Sequence, residues 1–309
     1  MSKKSKTRSS KNNKVTIAVH SGSFHPDDVM AVAIMSLYLK KSIKIIRSRN
    51  PVDWAMADYI LDVGGDYNPK KKIFDHHQNG WNEKRENGIV YASAGLIWKH
   101  FGRKISGSDD VWKKIDEKII QVIDAEDNGM EIFLSKIDRV ANFSFGDFIY
   151  SFNPTWCEKN TDNRTQAFKK AVEVCKSMLE REIKRAKDNY KGARYVRKIY
   201  QNTKDKRILV LKNDCSWKTV IDEYKEPLFV VSPDKENNTW SVLAVKEKGF
   251  KFKSKLSFPE SWGGKKGEEL AKETGICDAI FCHNLRFIAV AKSKQGAIEL
   301  AKKAVSSYN

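Results

Sequence analysis

No apolar run in this 309-residue chain approaches the roughly 20 residues that a spanning helix needs, so a helical membrane anchor is not expected. Cysteine is scarce. The five present, Cys157, Cys175, Cys215, Cys277 and Cys282, form no CxxC pair and are odd in number, which argues against a disulfide framework and against a thiolate zinc site. Without the apolar core of a secretion signal, a reducing intracellular compartment is expected, cytoplasmic or nuclear, with mitochondria the less favoured option. Acids are also in deficit: 39 Asp and Glu face 57 Lys and Arg, a net charge of +18. That balance points to an anionic partner such as nucleic acid or phosphate and says nothing of fold. There is no internal repeat. What remains is 40% hydrophobic, a globular composition, and at about 150 residues per domain the length suggests two domains.

Residues 1–14 hold six Lys or Arg, no acid and only Met1 as an apolar residue, and read as a disordered basic tail. Short apolar strands are expected at 15–20, 43–47, 57–63 and 72–74. A helix opened by Pro26 is expected at 27–38. Strands that are apolar throughout suit burial on both faces, so 15–160 is expected to be an α/β domain with a parallel sheet. Further helices are expected at 92–101 and 110–124. The stretch 161–206 reads as a long helical connector, with fifteen Lys or Arg against six acids between Asp162 and Arg207. From 207 to 309 short strands (207–211, 228–232, 240–246 and a run at 279–291) alternate with helices at 264–274 and 295–306. Asn237-Asn238 signals a hairpin turn, and this part reads as a smaller α+β domain.

Four of the six histidines, His20, His25, His76 and His77, fall within 58 residues. His20 ends a strand, His25 lies in the following loop, and Asp27 and Asp28 open the next helix, where acids also offset the helix dipole. At the carboxyl edge of a sheet such side chains converge in the crevice where α/β proteins bind ligands. Asp62 ends a later strand before Gly64-Gly65. Asp75-His76-His77 ends another, and adjacent residues on an extended chain point oppositely and cannot all serve one core. Asp124 and Asp127 lie three apart near a helix C-terminus, where carboxylates are unfavourable without a compensating cation. This mixed oxygen and imidazole set suits Mn²⁺ first, with Mg²⁺ as the alternative, and is large enough for two ions.

The order His20-x4-His25-x-Asp27, Asp62-Val-Gly-Gly65, Asp75-His-His-Gln78 and Asp124-x-x-Asp127-Asn-Gly129 resembles the four motifs of the Myg exonuclease family, a branch of the DHH phosphoesterase superfamily. The likeness extends to Arg47-Ser-Arg49, Ser93-Ala-Gly-Leu96, Asn153-Pro-Thr-Trp156, Cys215-Ser-Trp-Lys218, Phe258-Pro-Glu-Ser-Trp262 and Phe281-Cys-His283. It implies a metal-dependent phosphodiesterase, a 3′→5′ exoribonuclease on single-stranded RNA engaged in RNA processing. It further implies that His20 and His25 hold one metal, Asp27 and His76 the other, with Asp62 and Asp127 bridging. Asp75 and His77 would tune the metal shell and contact phosphate. The family usually carries Glu where this chain has Asp28, a residue not expected to be a ligand, and a Gly-Gly pair where it has Ala289-Val290.

A metal pair of this kind activates water for in-line attack on phosphorus, so no nucleophilic Ser or Cys is required. Arg47, Arg49, Lys218 and His283 are candidates for gripping phosphates, and Trp156, Trp217 and Trp262 are candidate base-stacking platforms. Two alternatives stand beside this reading. One is a small-molecule phosphoesterase or pyrophosphatase using the same motifs. The other is a non-catalytic RNA-binding protein, which the charge alone permits.

Overall fold

The computed structural model describes residues 14–158 and 161–308, and residues 1–13 of the expected basic tail lie outside them. β1 (Val15–Val19) pairs in parallel with β2 (Ile43–Arg47), Val15 opposite Ile43 and Val19 opposite Arg47. On its other side β1 pairs with β3 (Tyr59–Leu61), which pairs in parallel with β5 (Ile73–Phe74). The short β4 (Tyr67–Asn68) completes the order β2-β1-β3-β5-β4 and runs antiparallel to β5. The sheet is therefore mixed, which corrects the expectation of a parallel one. Only the 3₁₀ turn Pro69–Lys71 and Lys72 separate β4 from β5, far too few residues for the crossover that a parallel pair demands.

Pro26 occupies the first turn of α1 (Pro26–Leu39), where its missing N–H costs nothing. Every residue from Val29 to Met35 is fully buried, as suits a helix apolar all round. α1 lies in one core with Ile17, Val19, Leu61 and Phe74 of the sheet and with Leu96, Ile97 and Trp98 of α3 (Ser93–Ser106). Between them the chain carries the one-turn α2 (Pro51–Trp54). α4 (Asp109–Ile115) continues through a π-helical turn (Asp116–Ile120) into α5 (Gln121–Asp127), followed by the short α6 (Phe145–Tyr150). The 42-residue α7 (Thr161–Asn202) comes next. The chain divides into two compact units, Met1–Lys187 and Asp188–Asn309, and the division falls within α7.

The second unit holds a mixed sheet in the order β6-β7-β8-β10-β9. β6 (Ile208–Val210) and β7 (Phe229–Asp234) are parallel, while β8 (Thr239–Ala244), β10 (Ile288–Ala291) and β9 (Ala279–Cys282) follow antiparallel. The expected hairpin turn joins β7 to β8, with Asn238 at φ +52°. The run expected at 279–291 is two strands, turned at Asn284-Leu285 with Arg286 at φ +56°. The one-turn α8 (Lys218–Ile221), α9 (Gly267–Thr274) and α10 (Lys294–Ser306) complete the unit. Phe229, Phe258, Trp262 and Leu300 lie in its main core. Among the described residues no helix is long and apolar enough to cross a membrane, and all five cysteines are free.

Candidate metal centre

The carboxyl ends of β1, β3 and β5 deliver His20, Asp62 and Asp75-His76-His77 to one edge of the first sheet, and the start of α1 adds Asp27 and Asp28. His20, Asp27, Asp28, Asp62, Asp75 and His76 are all buried. Asp62 stands at φ +55°, a left-handed conformation that Asp tolerates better than most residues. Its N–H donates to the Phe74 carbonyl at 3.0 Å, and Gly64 and Gly65, also at positive φ, carry the chain away from the edge.

Asp62 sits between two imidazoles. Its Oδ2 lies 3.4 Å from His20 Nε2 and its Oδ1 lies 3.4 Å from His76 Nε2. His20 Nε2 is also 3.2 Å from Asp28 Oδ2, and His76 Nε2 is 3.1 Å from Asp127 Oδ2 and 3.9 Å from Asp27 Oδ2. Despite these distances, His20 Nε2, His76 Nε2 and Asp28 Oδ2 are buried without a hydrogen bond of acceptable geometry. Donor atoms that crowd together yet aim past one another converge on shared points, which is how ligands surround a cation. Three groups have that spacing among the described residues: His20, Asp28 and Asp62; Asp27, His76 and Asp127; and Asp62, His76 and His77. Nitrogen and hard oxygen donors without thiolate fit a divalent metal of the Mn²⁺ or Mg²⁺ kind.

The protonation energetics agree with that fit. Burial disfavours a charged His20 ring, but the Asp28 and Asp62 carboxylates outweigh it and pull its pKa up to about 10. Burial likewise opposes the His76 cation, and Asp127, Asp62 and Asp27 raise its pKa to about 11. Burial, reinforced by the Asp62 and Asp127 charges, pushes the Asp27 carboxyl well above its usual range. Burial also lifts Asp28, against the pull of His20. Asp62 alone of these carboxyls falls below the usual range, because the two imidazoles overcome its burial. So many buried carboxylates in one place are costly unless protons or a cation compensate them.

An outer shell fixes the donors. His20 Nδ1 lies 3.0 Å from the Ser21 carbonyl, and donation there leaves Nε2 for a ligand's role. Asp27 accepts the N–H groups of Ser93 (3.0 Å) and Ala94 (2.6 Å), and Ser93 Oγ donates to Asp62 Oδ1 at 3.2 Å. These are the otherwise unpartnered amides at the start of α3, whose preceding Ala92 has no capping side chain. Asp75 is saturated. Its Oδ2 accepts Gly65 N–H at 2.6 Å, and its Oδ1 accepts His76 N–H at 2.8 Å and lies 2.7 Å from His77 Nδ1. The Asp75 contact raises the pKa of His77, and Asp75 is held low by His77 and the Gly65 amide in spite of burial. The exposed His77 ring is thereby held by Nδ1, which also lies 3.6 Å from Asp62 Oδ1.

The remaining sequence candidates fall elsewhere. His25 is exposed, precedes α1, donates its N–H to Asp28 Oδ1 at 2.9 Å and places its ring 5.5 Å from that of His20; it belongs to none of the three groups. Asp28, not expected to be a ligand, belongs to one of them. Asp124 belongs to none: its carboxylate accepts Arg85 Nη1 at 2.6 Å and Gly95 N–H at 3.0 Å. Arg85 also bonds Asp116 through Nε (3.1 Å) and Nη2 (2.9 Å), forming a buried triad over the Tyr91 ring. Sequence reasoning missed Arg85 and Asp116; the one signal was the unexplained acid at position 124. Arg47 is half-buried, donates Nη2–H to the Gly22 carbonyl at 2.8 Å and lies over the Phe24 and Phe168 rings. Arg49 is exposed, its Nη2 3.4 Å from His20 Nδ1. Lys218 and His283 belong to the second unit, Lys218 exposed and His283 accepting Leu285 N–H at 3.0 Å. Trp217 and Trp262 are buried in the second unit and offer no open stacking face, whereas Trp156 is 90% exposed.

The family model MYG1_exonuc, described as Uncharacterised protein family (UPF0160), matches residues 16–305. The MYG1 protein C694.04c of Schizosaccharomyces pombe is 32% identical over 95% of this chain and 98% of its own. The MYG1 protein YER156C of Saccharomyces cerevisiae is 32% identical over 94% of this chain and 95% of its own. The MYG1 exonuclease of Homo sapiens is 27% identical over 93% of this chain and 84% of its own.

Proposed function

The chain belongs to the MYG1 exonuclease family, and from that premise we propose that it is a metal-dependent phosphodiesterase of the DHH type, removing nucleotides from single-stranded RNA in the 3′→5′ direction. The observation that carries the reading is Asp62, whose two oxygens face the unspent Nε2 atoms of His20 and His76. In this reading His20 and Asp28 complete one cation site and Asp27, His76 and Asp127 the other, with Asp62 between them. Divalent ions held there, Mn²⁺ foremost, would supply water activation and charge compensation at the phosphoryl oxygens. The chain's own residues hold and orient. The α3 amides lock Asp27, and Asp75 turns His77 so that its Nε2 meets a phosphoryl oxygen. Arg49, exposed beside His20, adds positive charge for the adjoining phosphate, and Lys218 and His283 are the second unit's own candidates for holding phosphate.

The test is incubation with end-labelled single-stranded RNA, single-stranded DNA and pyrophosphate, with Mn²⁺ or with EDTA. Stepwise shortening of RNA from its 3′ end, abolished by EDTA, is expected. Release of phosphate from pyrophosphate without attack on RNA would replace the reading by the small-molecule one. Binding of RNA without any product would leave a non-catalytic RNA-binding protein.

A further inference from the structure

A cleft of about 760 Å³ opens beside the donor set. Asp127 and His25 form the wall it shares with the metal centre, and it runs between the end of α5, the segment that follows it and the start of α6. Phe133 and Tyr150 supply aromatic surface there, each 55% exposed. Among the described residues, Glu126, Asp127, Glu131 and Asp147 line it with His25, and no Lys or Arg does. The half-buried Glu126 carboxylate packs against Gly146, where a Cβ would stand 2.8 Å from its Oε2.

In a chain of net charge +18, a cleft with four carboxylates in its lining, contiguous with the proposed phosphate-hydrolysing centre, selects against phosphate on that side. Its aromatic walls suit a flat ring, and its carboxylates suit hydroxyl donors. We propose that this cleft receives the terminal nucleoside of the substrate strand. This inference rests on the nuclease reading above and deepens it: the scissile phosphate lies at the donor set, the neutral end group enters the cleft, and the rest of the polyanion must leave by another path. An end bearing free hydroxyls is accepted, and an end bearing a phosphate meets like charge in a confined site. Digestion from an end then follows from the charge of the cleft.

The test uses the full chain and 5′-fluorescein oligoribonucleotides ending in a 3′-hydroxyl or a 3′-phosphate, with the 5′-hydroxyl and 5′-phosphate pair in parallel. Binding is read by anisotropy in EDTA, and shortening is read with Mn²⁺. At the end where digestion starts, a terminal phosphate should weaken binding and lower kcat/KM by tenfold or more. Glu131→Lys, a change at an exposed position, should bring the two substrates to within about threefold, and Phe133→Ala should raise KM for both. Equal handling of the two ends by the unaltered protein, or a discrimination that Glu131→Lys leaves intact, would overturn the cleft assignment while leaving the nuclease reading in place. Failure to bind or shorten RNA with either end, alongside hydrolysis of bis-p-nitrophenyl phosphate, would overturn both.

Discussion

Arg85 Nη1 lies 2.6 Å from Asp124 Oδ2, and this pair answers the carboxylate buried in α5. The same guanidinium spans Asp116 in the π-helical turn, so one side chain from an irregular segment ties the two halves of the broken helix together. Asp127 lies one helical turn beyond Asp124, so the pair also sets where the carboxylate that approaches His76 stands.

Arg85→Met should cost about 3–5 kcal/mol, because it strands two buried carboxylates. Burial already pushes Asp124 up to about 7 even with Arg85 opposing it. Without Arg85 the carboxyl should rise further and take up a proton near neutrality, so the loss should be smaller at pH 5 than at pH 8. Urea denaturation at the two pH values checks this; a deficit that grows toward acid would contradict it.

Gly95→Ala should disrupt the same region from the other side. A Cβ there would stand 1.9 Å from Asp124 Oδ2, and the Gly95 N–H bond to Asp124 would be lost with the movement required. A loss of about 2–4 kcal/mol is expected from overpacking and the broken bond, together with weaker metal binding because Asp27 depends on the adjacent amides. Thermal melts and metal titration of the purified variant measure both.

Asp62→Asn keeps the size of the side chain and tolerates the positive φ, yet removes the charge shared by both sites. Metal affinity should fall at least 100-fold and metal-dependent hydrolysis should vanish, with the circular dichroism spectrum unchanged. His76→Ala should behave likewise. Full activity in either variant would remove these residues from the metal centre.

Metal uptake should expel protons. Without a cation His20 and His76 hold their protons up to about 10 and about 11, so both rings are charged at pH 7 and must lose those protons to bind. Titration calorimetry at pH 7 in two buffers of different ionisation enthalpy should report release of about two protons. The dissociation constant should rise as the pH falls. Heats that do not depend on the buffer would show that the imidazoles are not ligands.

The elements that place the site were legible because they are locally determined. The edges of β1, β2 and α1 follow from apolar runs, Pro26 and a turn, and they bring His20, Asp27 and Asp28 together. β4 escaped notice because two residues carry no period. Helical spacing said that Asp124 and Asp127 share a face, and they do. It could not say which meets a cation from the protein and which faces the imidazoles, since Arg85 arrives from an aperiodic segment 39 residues away. Asp28 was not expected to be a ligand, because it stands where the family resembled carries Glu, and the local explanation of an acid in a first helical turn covers it as it covers Asp27. Only its 3.2 Å approach to His20 assigns it a second one.

The π-helical turn Asp116–Ile120 sets the direction in which the 124 and 127 side chains point. Each residue advances an α-helix by about 100°, and a π turn accommodates one extra residue without lengthening the path of the flanking helix. Deleting one residue from that turn should rotate the 124 and 127 side chains by roughly a quarter-turn about the helix axis. The register of Asp127 with the His76 imidazole, supplied by a distant strand, therefore depends on the bulge that Arg85 and Asp116 secure.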